Sequence, residues 1–149
     1  MYLLLFDRGA HDWVDGTRIG YDKSGSAPVQ GFKPQYHHIF PRSLLRKLGR
    51  SDDDINVLAN ITVLNETTNC AQLGSKPPAR YIREFCISRA FLQEHLIPEE
   101  FAAAGDNPER CEKVWSTERY DDFIVQRAEL LAAEANKFLE RLKGVTSGS

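Results

Sequence analysis

Two short stretches of this chain, Tyr36-His37-His38-Ile39-Phe40 and Ile61-Thr62-Val63-Leu64, carry the β-branched and aromatic density of strands, and helical signals surround both. Pro41 stops the first. Between them, Ser43-Leu44-Leu45-Arg46-Lys47-Leu48 spaces apolar residues at near-helical intervals and closes on Gly49, a C-cap signal. Ser51-Asp52-Asp53-Asp54 reads as a helix N-cap or solvated turn, because consecutive side chains cannot all converge on one ion. After the second strand, Asn65 can cap a helix starting at Glu66. Asn69 then falls one turn inside it, with its amide free to point back at the strand pair. Gly74 ends that helix, Ser75 can cap the next, and Pro77-Pro78 sit near its first turn. Local signals alone give the order strand, strand, helix.

Everything after residue 77 reads as helical. Asn107-Pro108-Glu109 supplies an N-cap, a proline at the first helical position and an acid facing the helix dipole. The last helix is predicted from about Thr117 to Lys143. Its core stripe is Ile124, Ala128, Leu131, Ala135, Phe138 and Leu142, at three- and four-residue steps, and Gly144 closes it. Ser147-Gly148-Ser149 is expected to be disordered. At the other end, Tyr2-Leu3-Leu4-Leu5-Phe6 reads as the end of a helix turning into Asp15-Gly16, a start that fits a domain cut from a longer protein. Lys23-Ser24-Gly25-Ser26-Ala27-Pro28 is an exposed loop by its breakers. The expected class is therefore α+β, mostly helical: one domain over 1–149, a ββα core over about 30–82, and a helical extension over about 83–143.

A length of 149 residues suffices to bury a core without metal or disulfide staples. Hydrophobic content of 42% and charged content of 27% suit a soluble globular domain, and the run at Leu3-Leu4-Leu5-Phe6 is too short to span a bilayer. No basic-then-apolar leader precedes it, so the expectation is a cytoplasmic protein without a membrane partner. Cys70, Cys86 and Cys111 are odd in number and widely spaced, which argues for reduced thiols. A net charge of −2 does not advertise a nucleic-acid binder, but its distribution matters more. Residues 31 to 50 hold Lys33, Arg42, Arg46, Lys47 and Arg50 with no acid, whereas from Pro98 onward eleven acids face seven bases. The basic stretch flanks the twin histidines.

Adjacent imidazoles at a strand end, with carboxamides returning later, can place a metal ligand beside a general base, as phosphodiester hydrolysis requires. His37-His38-Ile39-Phe40-Pro41-Arg42-Ser43-Leu44-Leu45, Ile55-Asn56 through Asn60-Ile61-Thr62-Val63-Leu64 with Asn69, and Lys76-Pro77-Pro78-Ala79-Arg80-Tyr81-Ile82 together resemble the HNH (ββα-metal) endonucleases in their His-Asn-Asn form. More closely, the pattern is similar to the C-terminal nuclease domain of GmrSD-type, modification-dependent restriction proteins. The resemblance covers roughly residues 1 to 90 and is specific from 36 to 82.

The resemblance implies a role for each residue. His37 becomes a metal ligand and His38 the general base; Asn60 orients the loop around the base, and Asn69 supplies the second protein ligand through its amide oxygen. So weak and open a site favours Mg²⁺ or Mn²⁺, with Ni²⁺ or Zn²⁺ as other occupants. Arg42, Arg46, Lys47, Lys76 and Arg80 are the candidate DNA phosphate contacts. DNA is the expected partner, together with a modification-sensing NTPase region elsewhere in the same or a partner protein. A catalytically silent DNA-binding ββα module is the alternative, and a purely structural helical domain a third reading. His11 is a weaker second candidate, and His95 reads as an ordinary helix-end histidine.

Overall fold

A computed structural model describes residues 1–146, and the expected disorder of Ser147-Gly148-Ser149 lies outside them. The chain is mixed α+β and mostly helical, with one two-stranded antiparallel sheet. In order come α1 (Tyr2–Asp7), β1 (Gln35–His38), α2 (Arg42–Lys47), α3 (Asp52–Ile55), β2 (Ile61–Leu64), a wide helical segment (Thr67–Leu73), α4 (Pro78–Glu84), α5 (Arg89–Glu94), α6 (Glu99–Ala104), α7 (Pro108–Val114) and α8 (Tyr120–Thr146). Short 3₁₀ turns, Leu58–Asn60 and Thr117–Arg119, lead into β2 and α8.

β1 is shorter than the sequence suggests because Ile39 and Phe40 leave the ladder to enter the core. Phe40 packs against Trp115, Tyr120 and Phe123 at ring separations of 5.8, 5.3 and 5.2 Å. Fully burying one such side chain contributes roughly 2–3 kcal/mol, so the end of β1 is pinned from the inside. The register pairs Tyr36 with Val63, His37 with Thr62 and His38 with Ile61. Alternation sends His37 into the interior and leaves Tyr36 outside. The N-terminal segment covers the Val63 side of β2, through Leu5, Ala10 and Ile19, and leaves Tyr36 exposed on β1.

α2 closes as its sequence predicts: Gly49 adopts φ +77° and, with Arg50, returns backbone bonds to Arg46 and Leu45. Three local expectations fail. The segment after β2 is wound wider than an α-helix, as the Gly74 amide bonding the Asn69 carbonyl five residues back shows. Its start is not capped by the Asn65 side chain, which donates to Asp15; the buried Asp12 carboxylate instead accepts from the Asn65 amide and the Thr68 hydroxyl. Ser75 is not a cap either, since α4 starts at Pro78 with Pro77 before it.

The C-terminal half alternates short helices with tight turns before α8. Gly144 does not stop α8, which continues to Thr146; a glycine in a helix costs only about 1 kcal/mol, too little to end it alone. The buried line of α8 is Tyr120, Phe123, Arg127 and Leu131, while Ala128 and Leu142 of the expected stripe are exposed. Farther along, Phe138 packs against the cluster that includes Leu4, Ala59 and Leu131, and Arg141 pairs with Asp7, so α8 also lies against α1.

Arg127 fixes α8 to the sheet. Fully buried, it donates to the carbonyls of Ala59 at 2.7 Å, Ile61 at 2.9 Å and His95 at 3.1 Å. Burial without a carboxylate partner lowers its pKa to about 9. No helix among the described residues is long and apolar enough to cross a membrane.

Candidate functional site

The site is built around the turn that follows β1. Asn60, fully buried, accepts the Phe40 amide at 2.9 Å and donates to the carbonyls of Phe40 at 3.1 Å and Ile55 at 3.0 Å. Its own carbonyl receives the Ile39 amide at 2.9 Å, and the Tyr81 hydroxyl donates to the Ile39 carbonyl at 2.8 Å. One carboxamide therefore ties the exit of β1 to the exit of α3. Arg127 holds the carbonyls on either side of Asn60, so the frame is anchored from α8 as well.

Within this frame the two histidines meet different surroundings. His37 Nδ1 lies 2.9 Å from Asn69 Oδ1; an amide oxygen only accepts, so Nδ1 carries the proton. His37 Nε2 is buried with no hydrogen-bond partner, and the ring stands nearly perpendicular to those of Trp13 and Tyr81. Burial, against the bond to Asn69, lowers the His37 pKa to about 4 and keeps the ring neutral. His38 is half-buried, and its Nε2 lies 2.9 Å from Asn56 Oδ1. Partial burial lowers its pKa, the Asn56 bond opposes this, and the nearby Arg42 and Arg46 charges lower it further.

Both histidines, Asn69, Tyr36, Arg42 and Arg46 line one open cleft of about 410 Å³, whose walls carry no carboxylate. Arg42 makes no ion pair or side-chain hydrogen bond among the described residues, whereas Arg46 is held by Asp52 at 2.8 Å. Lys47 lies on the same helix, exposed, outside the cleft wall. Lys76 and Arg80 do not line the cleft: Lys76 binds the Gln72 carbonyl and Glu84, and Arg80 binds the same Glu84.

The other histidines are engaged elsewhere. His11 pairs with Glu94 at 2.9 Å. His95, at the end of α5 as expected, is fully buried between Thr62 and the His11 carbonyl. All three cysteines are free, and only Cys111 is buried. Asn56, Asp12 and Arg127 were given no role from sequence, because each acts through a contact made only after folding.

Among the described residues no three His, Cys, Asp or Glu side chains converge on a metal position. The donors on offer are His37 Nδ1 and Asn69 Oδ1. Their 2.9 Å separation is close to the edge of an octahedron with bonds of about 2.1 Å, roughly 3.0 Å. For Nδ1 to become a ligand its proton must move to Nε2, the atom enclosed without an acceptor. The pair fits a hard, exchangeable, weakly held ion that keeps most of its water.

No family model and no solved structure matches the chain. It is similar to the uncharacterized protein MJ0686 of Methanocaldococcus jannaschii, 24% identical over 147 residues that cover 88% of this chain and 23% of that protein. The chain thus spans about a quarter of the length of this archaeal relative.

Proposed function

We propose that this chain is a metal-assisted endonuclease domain of the ββα-metal (HNH) type that hydrolyses DNA phosphodiester bonds. In this reading β1, β2 and the segment Thr67–Leu73 form the ββα core. The observation that supports it is the juxtaposition, in one carboxylate-free cleft, of a half-buried imidazole, a second imidazole paired with a carboxamide, and an unpaired arginine. His38 takes the proton of the attacking water, and Arg42 and Arg46 hold the phosphate charge. A neutral imidazole suits that task at neutral pH, and partial burial, with the smaller effect of the Arg42 and Arg46 charges, disfavours its charged form. Asn60 keeps the His38 turn in shape.

A bound Mg²⁺ or Mn²⁺ supplies charge stabilisation at the phosphoryl oxygens, and His37 with Asn69 are the residues that hold it. The water oxygen bonds to phosphorus, and the 3′ oxygen leaves with its electron pair and is protonated by solvent, giving a 5′ phosphate and a 3′ hydroxyl. We assign the domain to a modification-dependent restriction protein of antiviral defence, with base recognition and NTP hydrolysis in other segments.

The deciding experiment is plasmid nicking with Mg²⁺, Mn²⁺ or chelator. Cleavage that requires the ion and disappears in His38→Ala is expected. Salt-sensitive DNA binding without cleavage under any of these ions would establish the second reading, a silent DNA-binding module. That reading is favoured by the engagement of both imidazoles with carboxamides and by the lack of a carboxylate ligand.

A further inference from the structure

We infer that Asn56 is a positioning residue that fixes the tautomer of His38, leaving Nδ1 as the atom that receives the proton from water. The catalytic part of this assignment rests on the nuclease reading; the tautomer does not. The geometry carries it in three steps.

Asn56 Oδ1 lies 2.9 Å from His38 Nε2, and an amide oxygen has no proton to give, so Nε2 is the donor. A neutral imidazole with hydrogen on Nε2 has its lone pair on Nδ1, and Nδ1 makes no hydrogen bond among the described residues. His38 lines the cleft while Asn56 does not, which leaves Nδ1 as the nitrogen free for a substrate water.

Asn56 is itself held in place. It follows α3, whose first turn is capped by Ser51 through the Asp54 amide, and its own amide bonds the Asp52 carbonyl at 2.9 Å. The Tyr120 hydroxyl holds the Asp54 carbonyl at 2.6 Å. Most directly, Asn60 holds the Ile55 carbonyl next to Asn56 with the same amide that grips Phe40, two residues beyond His38. The separation of His38 and Asn56 is thus set by a third side chain, the arrangement in which an orienting group prepares a general base.

Proton transfer leaves this bond intact. The water proton adds to the Nδ1 lone pair and the O–H electron pair goes to the new P–O bond. The imidazolium then carries a proton on both nitrogens, and the one on Nε2 is still donated to Asn56 Oδ1.

The test uses the ¹⁵N-labelled 149-residue chain, with near-isosteric Asn56→Leu, which removes the acceptor, and Asn56→Asp, which keeps one. The wild type should show His38 ring ¹⁵N shifts of a single Nε2-protonated tautomer, moved toward a mixture of tautomers in Asn56→Leu and restored in Asn56→Asp. In cleavage assays Asn56→Leu should lower kcat by roughly tenfold to a hundredfold with KM nearly unchanged, and Asn56→Asp should recover most of the loss. A ring proton on Nδ1, or wild-type kcat in a folded Asn56→Leu, overturns the assignment. A wild-type chain that shows the Nε2 proton but cuts no DNA overturns the nuclease reading and leaves the tautomer standing, so the two failures are told apart.

Discussion

A carboxamide offers both a donor and an acceptor without charge, and this site uses three of them, on the His37 ring, the His38 ring and the Phe40 backbone. The consequence is a cleft lined by two arginines and no carboxylate, in which the proposed mechanism rests on His38 as the base. Replacing His38 with Ala should therefore cut nicking by at least about a hundredfold, the lower range for a lost general base, with the denaturation midpoint nearly unchanged. Near wild-type nicking would remove His38 from the mechanism. Asn69→Ala should raise the Mn²⁺ concentration needed for half-maximal cleavage, whereas Asn69→Asp, which adds an anionic oxygen, should lower it. If Asn69→Ala titrates like wild type, the ion sits elsewhere. His95 gives a stability test independent of cleavage. Burial, with smaller contributions from the Arg127, Arg8 and His11 charges and against the bond to the His11 carbonyl, depresses its pKa from 6.5 to about 3. The unfolded chain then binds a proton that the native state refuses, so stability is full above pH 6.5 and falls progressively as pH drops toward 3. His95→Gln, which retains a donor and an acceptor, should flatten the decline of the urea midpoint between pH 7 and pH 5; an unaltered slope would place the titrating group elsewhere.

At the scale of elements, α8 reaches the site through Tyr120, Phe123 and Arg127, and removing the Arg127 side chain exposes how far the frame depends on it. Arg127→Met should destabilise the chain by about 3 kcal/mol or more, since three buried carbonyls lose their donors at roughly 1–3 kcal/mol each. Chemical denaturation measures this, and a loss below about 1 kcal/mol would mean that other groups satisfy those carbonyls. The sequence could not announce this contact: Arg127 interrupts an otherwise apolar line and, read alone, belongs on a solvated face. Strands were legible because β-branched and aromatic residues between breakers leave few options, and α2 because its Gly49 signal is local. Asn60, Asn69 and the histidines could be picked out as an ordered set. The contacts of Asn56 and Asp12 could not be read, because their partners lie 18 residues away at His38 and more than 50 away at Asn65 and Thr68. The wide winding of Thr67–Leu73 was hidden for the same reason, as Asp12 grips its start from the N-terminal segment. Lys76 shows the converse limit: its position in sequence suggested phosphate, and its fold neighbour Glu84 takes the charge instead.

For the molecule as a whole, a net charge of −2 means that the DNA binding proposed for it has to come from a local field. Many of the bases are neutralised in place: Arg50 by Asp121, Arg83 by Glu112, Arg89 by Glu99, and Arg119 by Glu100 and Asp122. In the acid-free stretch, Arg42 and Lys47 make no such pair among the described residues, and Arg46 has only the exposed Asp52, a contact of small worth in water. The cleft therefore keeps the charge of Arg42 whole and most of that of Arg46, with Lys47 nearby on the same helix, and this orders the expected effects of charge removal. In a cleavage-silent His38→Ala background, Arg42→Ala should flatten the dependence of log K on log salt by about one unit, as expected for one lost phosphate contact. The double change Arg46→Ala with Lys47→Ala should flatten it by at most about two units, and less if Asp52 competes for Arg46. Arg83→Ala, whose charge is already spent on Glu112, should leave the slope unaltered. Fluorescence anisotropy on two unrelated duplexes at several salt concentrations gives all three slopes, and they should agree between duplexes because phosphate contacts carry no base information. Equal slopes for wild type and Arg42→Ala would mean that DNA approaches from another face and that the arginine-lined cleft serves some other anion.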